Sequence, residues 1–250
     1  MEERRGRMVE LIRQRGHVTF AQLKESFPDV SEMTLRRDLE SLDQCRRIVR
    51  VHGGARSVDT VVGKDDLFCN RATTNMEAKI RIARKAVRLL SPNTSFFIDS
   101  GTTVTEFARI LPDEHYLIFT SGLTCAMELA RLSQPMVHVL GGRLNSNSLS
   151  VNGHPSVGWI EDIHFDMAFF GVTGYTTKLG FTTSVMEEYE LKSAALRKAE
   201  KVILLMDSTK IGVERTFTFA RLKDVHVIVT DDMLDPAAAA EFRASGIELI

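Results

Sequence analysis

What the chain lacks narrows it first. It has three cysteines in 250 residues (Cys45, Cys69, Cys125), an odd number, scattered and without CxxC spacing. That argues against a disulfide framework and a cysteine zinc site, and for a reducing compartment. Long apolar runs are missing. The charged start, MEERRGRM, leads into none, so neither a signal peptide nor a membrane-spanning segment is expected, and the protein is expected in the cytoplasm with no membrane partner. No GK[ST] closes a glycine-rich loop, so nothing asks for ATP. No GxGxxG follows the first strand of the body, so a dinucleotide fold is not supported. His154 and His164 stand in no Cys/His/Asp spacing, and neither a metal nor a cofactor is expected. Net charge is nearly absent at −1, which names no partner, but its distribution is uneven. Residues 1–57 hold 12 Lys+Arg against 9 Asp+Glu (+3), and the rest hold 20 against 24 (−4). A mildly basic head on an acidic body fits a nucleic-acid-binding module beside a separate domain.

The head reads as three helices and a wing. Met8, Leu11 and Ile12 form one apolar stripe, which Gly16 is placed to end. Thr19 and Gln22 have capping-box spacing, so a second helix starts near Phe20, with Ala21, Leu23 and Phe27 expected on its core side. Ser31 can cap a third helix whose narrow face is Leu35, Leu39 and Leu42. Opposite lie Met33 and Arg37, with Thr34 and Arg36 on the flanks. This is a helix-turn-helix candidate. Ile48, Val49 and Val51 then read as a strand, with Gly53-Gly54 as the expected tight turn. Arg47, Arg50 and His52 make this a basic wing able to touch phosphate or enter the minor groove. The expected DNA-binding residues are Ser31, Met33, Thr34, Arg36, Arg37, Arg47, Arg50 and His52.

The body reads as short apolar strands alternating with helices, which implies a mostly parallel sheet covered on both faces. Its strands end in small or polar residues: DSGTT after residues 96–98, TSG after 117–119, LGG at 140–142, GVTG at 171–174 and MDSTK at 206–210. In such sheets ligands sit at the carboxyl ends of the strands. The loop Ser100, Gly101, Thr102, Thr103 opens a helix, and its backbone N–H groups suit a phosphate. Lys210 adds a mobile cation. Asp99 would repel a dianion close by and is therefore given to sugar hydroxyls. Glu188 either accepts a hydroxyl or caps its helix. Gly141 and Gly142 are expected to let backbone approach the ligand. Asn75 is expected to cap the first helix of the body, and Phe165, Phe169 and Phe170 are expected in the core.

Residues 30–42, VSEMTLRRDLESL, followed by 50–55, RVHGGA, resemble the N-terminal signature of the DeoR family of bacterial transcriptional repressors. Arg46 stands where that family has a small residue, so the helix end is expected to be capped differently. The body is similar to the family's sugar-phosphate sensor domain at residues 97–103, 120–121, 140–142, 165–174, 180–183 and 207–210. Ser121 stands where the family often has Asn. The resemblance implies a winged helix-turn-helix domain at 1–57, a linker at 58–75, and an α/β domain at 76–250 similar to ribose-5-phosphate isomerase. It also implies double-stranded operator DNA and a phosphorylated sugar effector as partners, and a homodimer or homotetramer. The effector site expected on this basis is Asp99, Ser100, Gly101, Thr102, Thr103, Ser121, Gly141, Gly142, Glu188 and Lys210. The expected activity is repression rather than catalysis. The competing expectation is a sugar-phosphate isomerase or deaminase with an N-terminal extension.

Overall fold

The computed structural model describes residues 2–45, 47–57 and 67–250 and divides into two compact units, Met1–Thr73 and Thr74–Ile250. Arg46 and half of the expected linker, 58–66, lie outside the described residues.

In the first unit, helix α1 (Glu2–Arg15) stops at Gly16, whose φ of +70° suits a residue without Cβ. Strand β1 (His17–Thr19) leads into α2 (Phe20–Ser26) through a reciprocal capping box: Gln22 N donates to Thr19 Oγ1 and Thr19 N to Gln22 Oε1. Ser31 caps α3 (Glu32–Gln44), its Oγ accepting from Thr34 N at 3.2 Å. Met8, Ile12, Val18, Leu23, Phe27, Leu35, Leu39, Leu42, Ile48 and Ala55 share one core. Ala21 does not join it; that position of α2 is exposed. The wing is β2 (Val49–Val51) and β3 (Gly54–Arg56), with Val51 opposite Gly54. The two-residue turn is therefore His52-Gly53, one position earlier than expected. Gly54 is needed for another reason. β3 runs between β1 and β2, and a Cβ at Gly54 would lie 2.2 Å from the Val18 carbonyl oxygen. Inside the stretch read as linker, residues 68–73 form helix α4 (Phe68–Thr73), and Leu67 before it is buried.

The second unit is built on seven strands: β4 (Thr94–Ile98), β5 (Tyr116–Thr120), β6 (Met136–Val139), β9 (Phe165–Gly171), β12 (Ala199–Leu205), β14 (Val227–Val229) and β15 (Glu248–Leu249). They run in the order β15-β14-β12-β9-β4-β5-β6, with every neighbouring pair parallel. One face packs α5 (Met76–Ala86), α6 (Thr102–Arg109) and α7 (Leu123–Leu129) onto Phe96, Ile98 and Phe169. The other packs α8 (His154–Ile160), α9 (Met186–Arg197) and α10 (Pro236–Ala244) onto Phe97 and Phe170. Both faces are covered, which is why the central strands read as unbroken apolar runs. Two small antiparallel pieces complete the unit: the hairpin β7 (Arg143–Asn145)–β8 (Ser150–Asn152), and a sheet of β10 (Gly174–Thr176), β11 (Gly180–Thr183) and β13 (Phe217–Ala220). Asn75 precedes α5 but makes no capping bond. It sits in the left-handed region (φ 52°, ψ 37°), and its amide is used elsewhere. The chain enters the sheet at β4, steps outward through β5 and β6, and returns to β9 on the other side of β4. Its direction of travel reverses between β4 and β9, where open α/β sheets leave a crevice.

Candidate functional site

Helix α3 turns its apolar stripe inward and leaves Met33, Arg36, Arg37 and Glu40 exposed. Arg36 lies with its guanidinium 4.3 Å from the centre of the Phe20 ring, which holds it against α2. Arg37 has no hydrogen bond or ion pair among the described residues and faces away from the core. Ser31 and Thr34 are spent on each other, their hydroxyls 2.9 Å apart at the helix start. Arg50 is exposed on β2, and its backbone N donates to Asp43 Oδ1, which ties the wing to α3. Exposed His52 forms the wing tip, while Arg47 is half-buried at its base, its backbone N donating to the Leu42 carbonyl. Sequence reasoning missed what fixes this frame. Asp38 sits on the inward face of α3, and both of its oxygens take α1 side chains, Arg4 Nε at 2.7 Å and Arg5 Nε at 2.8 Å. Burial alone would raise its pKa, but the bonds to Arg5 and Arg4 outweigh that and hold the carboxyl below the usual range. Lys24 closes the turn between α2 and α3, donating to the carbonyls of Pro28 and Val30.

In the second unit the ends of β4 and β9 meet. Asp99 is buried, and its Oδ2 accepts from the Gly171 amide at 3.1 Å and from Lys192 Nζ. Lys192, also buried, donates to the Gly171 carbonyl at 3.0 Å and lies 5.0 Å from the Phe219 ring centre. This corrects the expectation for Asp99. Its Oδ2 is held by a lysine on α9, so its charge is balanced beside the neighbouring loop instead of standing alone there. Gly101 takes φ +129°, and its carbonyl accepts from the Thr105 N–H and hydroxyl. Thr102 and Thr103 follow, both buried, and open α6 without a side-chain cap. The first N–H groups of that helix are therefore left without intrahelical partners at its positive end. Gly122 packs this loop to the next one, since a Cβ there would meet the Asp99 carbonyl and Ser100 Cα at 3.2 Å. Beside it, Ser121 is buried, and its hydroxyl has no partner among the described residues.

Two further expectations change. Gly142 does give close approach (φ +152°), but to the protein itself: a Cβ would lie 2.6 Å from the Asn152 carbonyl and 2.4 Å from Ser156 Oγ. Gly141 and Gly142 follow the edge strand β6, two strands from β4. Glu188 is not the cap of α9. It accepts from Thr183 Oγ1 at 3.1 Å. Lys210 ends the short 3-10 turn Ser208–Lys210 after β12; it is half-buried, with no side-chain partner among the described residues. Cys125, beneath the loop, has its thiol pushed up to about 12 by burial and remains protonated. His154 and His164 are exposed, and no group of three or more His, Cys, Asp or Glu among the described residues can hold a metal. No helix among them is long and apolar enough to cross a membrane.

Comparison with known proteins agrees with this division. Residues 4–61 match the DeoR-like helix-turn-helix domain, and residues 74–232 match the DeoR C terminal sensor domain. The chain is 30% identical over 249 residues to the HTH-type transcriptional regulator GolR of Listeria innocua, across 98% of this chain and 96% of that protein. It is 33% identical over 232 residues to the lactose phosphotransferase system repressor of Streptococcus mutans, across 92% of each. Among solved structures, ribose 5-phosphate isomerase A of Methanocaldococcus jannaschii is similar at a TM-score of 0.40, with 16% identity over 55% of each chain. With both domains matched in order and the similarity running along nearly the whole length, the chain belongs to the DeoR family of transcriptional regulators.

Proposed function

We propose that this chain represses transcription from operator DNA and is released by a phosphorylated sugar. The observation that carries the reading is a pairing on one polypeptide. The first unit presents Arg37 unpartnered on the outer face of α3 beside a basic wing. The second places the amide-lined loop 100–103 at the switch point of a parallel sheet, with Lys210 unpaired at another strand end. Arg37, Arg36 and Met33 are the residues to enter the major groove, with Ser31 and Thr34 at the helix start and Arg47, Arg50 and His52 along the wing. Ser100, Gly101, Thr102, Thr103 and Lys210 are the phosphate side of the effector site, with Ser121 near it. Two half-sites at fixed spacing need two heads, which supports a homodimer or homotetramer. The names of the similar proteins, a lactose phosphotransferase system repressor among them, support the repressor sense.

A sugar-phosphate isomerase needs a positioned base. Of the three candidate bases, Asp99 is paired to Lys192 and Glu188 takes the Thr183 hydroxyl, while Lys210 is unpaired. The test is fluorescence anisotropy on DNA from upstream of the protein's own gene, beside a turnover assay on pentose and hexose phosphates. Specific binding that one sugar phosphate weakens, with no turnover, is expected. Turnover without specific DNA binding would overturn the reading.

A further inference from the structure

Two of the three cysteines meet inside the first unit. Cys45 stands at the end of α3, and Cys69 is the second residue of α4, 24 positions later. The Cys69 thiol donates to the Cys45 carbonyl oxygen at 2.8 Å. Both residues are exposed, and both are free thiols. Partial burial of its sulfur, and after it the Cys45 thiol, raise the Cys69 pKa, so the two sulfurs are near enough to feel one another. Cys125 takes no part, being buried in the other unit.

A disulfide needs two cysteines whose Cα atoms lie about 4.4–6.8 Å apart. A thiol already bonded to the other cysteine's own carbonyl is close to that residue's sulfur. To form the bridge, Cys69 Sγ has only to leave the oxygen for the sulfur of the same residue. Neither residue is buried, so a small oxidant can reach the pair and no core packing opposes the rotation. The bridge would close a loop that carries both wing strands, β2 and β3, and would join the end of α3 to α4. Such a link stabilises mainly by removing loop entropy from the unfolded chain, and does so more for longer loops.

We propose that Cys45 and Cys69 form a redox site: a small disulfide such as glutathione disulfide converts them to an intrachain disulfide that staples the end of α3 to α4. Cys45 is the entering thiol. Its thiolate attacks one sulfur of the oxidant, the oxidant's S–S bond breaks, and one glutathione leaves as thiolate. Cys69 then gives its proton to solvent and attacks Cys45 Sγ, which expels the second glutathione. Two electrons pass from the cysteines to the oxidant, and the two protons they lose end on the two glutathione thiols. Exposed disulfides are readily reduced, so reverse exchange restores the thiols wherever reduced glutathione dominates. The stability of the DNA-binding unit thereby follows the thiol–disulfide balance around it.

The test incubates the full-length chain with glutathione disulfide at about pH 8, where an ordinary thiol is partly thiolate. The reaction is quenched with acid, and thiols are counted in the unfolded chain. The count should fall from three to one, peptide mapping should join Cys45 to Cys69, and dithiothreitol should return all three. Cys69→Ser should stop at the mixed disulfide on Cys45, and Cys45→Ser should form no bridge. Both replace exposed side chains, so both should fold like the parent. Methyl NMR signals of Leu35 and Leu39 in the oxidised parent should survive to a urea concentration higher by about 1 M or more than in the reduced parent. Neither variant should show that gap. Three free thiols after incubation, a parent that stops at the glutathione adduct, a bridge between two chains, or equal urea midpoints for the oxidised and reduced parent would each overturn the inference.

Discussion

Lys192 and Asp99 show how much one residue can change the reading of a neighbour. Taken alone, Asp99 is an anion beside a loop suited to anions. Paired with Lys192 and the Gly171 amide, it becomes a clamp between the ends of β4 and β9. Both side chains are almost fully buried, so removing either leaves the other charged and unpaired. Lys192→Met and Asp99→Asn should each destabilise the second unit by about 3–5 kcal/mol. The double variant should recover much of that loss, since nothing charged is left behind. Urea unfolding of the four proteins measures the cycle; additive losses would show that the two groups do not depend on each other. Asp99→Ala is accordingly a poor probe of sugar specificity, because its first effect is on folding. Arg37 is the opposite case, exposed and unpartnered, so the fold has no stake in it. Arg37→Ala should weaken operator binding by about 1–3 kcal/mol if it meets a base edge. Its circular dichroism and oligomer size should match the parent's, and undiminished affinity would misplace the helix.

At the level of elements, the central strands could be read from sequence because both faces of the sheet are covered and each strand is an apolar run. β7, β8 and β10 could not, being three residues each and rich in polar or small side chains. Gly142 was misread because what it yields to, Asn152 and Ser156, comes from β8 and α8 and is brought there only by the fold. The buried charges did leave a signal. Asp38 falls among Leu35, Leu39 and Leu42, and Lys192 among Leu191, Ala194 and Ala195, and a charge on an apolar stripe needs a partner. For Asp38 the partners tie α1 to the recognition helix, and this has a pH signature. The folded-state pKa is lowered, so the pair's contribution is complete above the unfolded value of about 4 and is lost as the pH falls through the lower, folded value. Methyl NMR signals of Leu35 and Leu39 in the full chain should therefore keep their native positions at pH 6 and show a growing unfolded fraction below about pH 4. Asp38→Asn should be less stable at neutral pH and lose this part of the acid dependence; an acid profile like the parent's would assign it to other carboxylates. Gly54 is a steric point within the same unit. Gly54→Ala drives a methyl into the Val18 carbonyl and should cost about 3 kcal/mol, the upper end for overpacking, seen as lost dispersion of those same methyl signals.

For the whole molecule, the question is how a ligand in one unit lowers the DNA affinity of the other. Binding to the sensor can do this only if the ligand prefers the DNA-free state, and a tenfold loss of operator affinity requires about 1.4 kcal/mol of such preference. Lys210 contributes to that preference if the phosphate reaches it. Its ammonium makes no bond among the described residues, and its removal leaves no buried group stranded. Lys210→Ala should therefore fold normally and bind operator like the parent. Its affinity for a phosphorylated sugar should fall to that of the unphosphorylated sugar, because only the charge contact is gone. Since coupling is reciprocal, weaker effector binding at the same effector concentration means less release. The variant should remain on DNA where the parent dissociates, and only a higher effector concentration should free it. Fluorescence anisotropy on labelled operator, titrated with the sugar phosphate that stabilises the parent most, reads this directly. Release of Lys210→Ala at the parent's effector concentration would remove Lys210 from the sensor site. Weakened operator binding without effector would mean that the turn 208–210 also acts on the DNA-binding state itself.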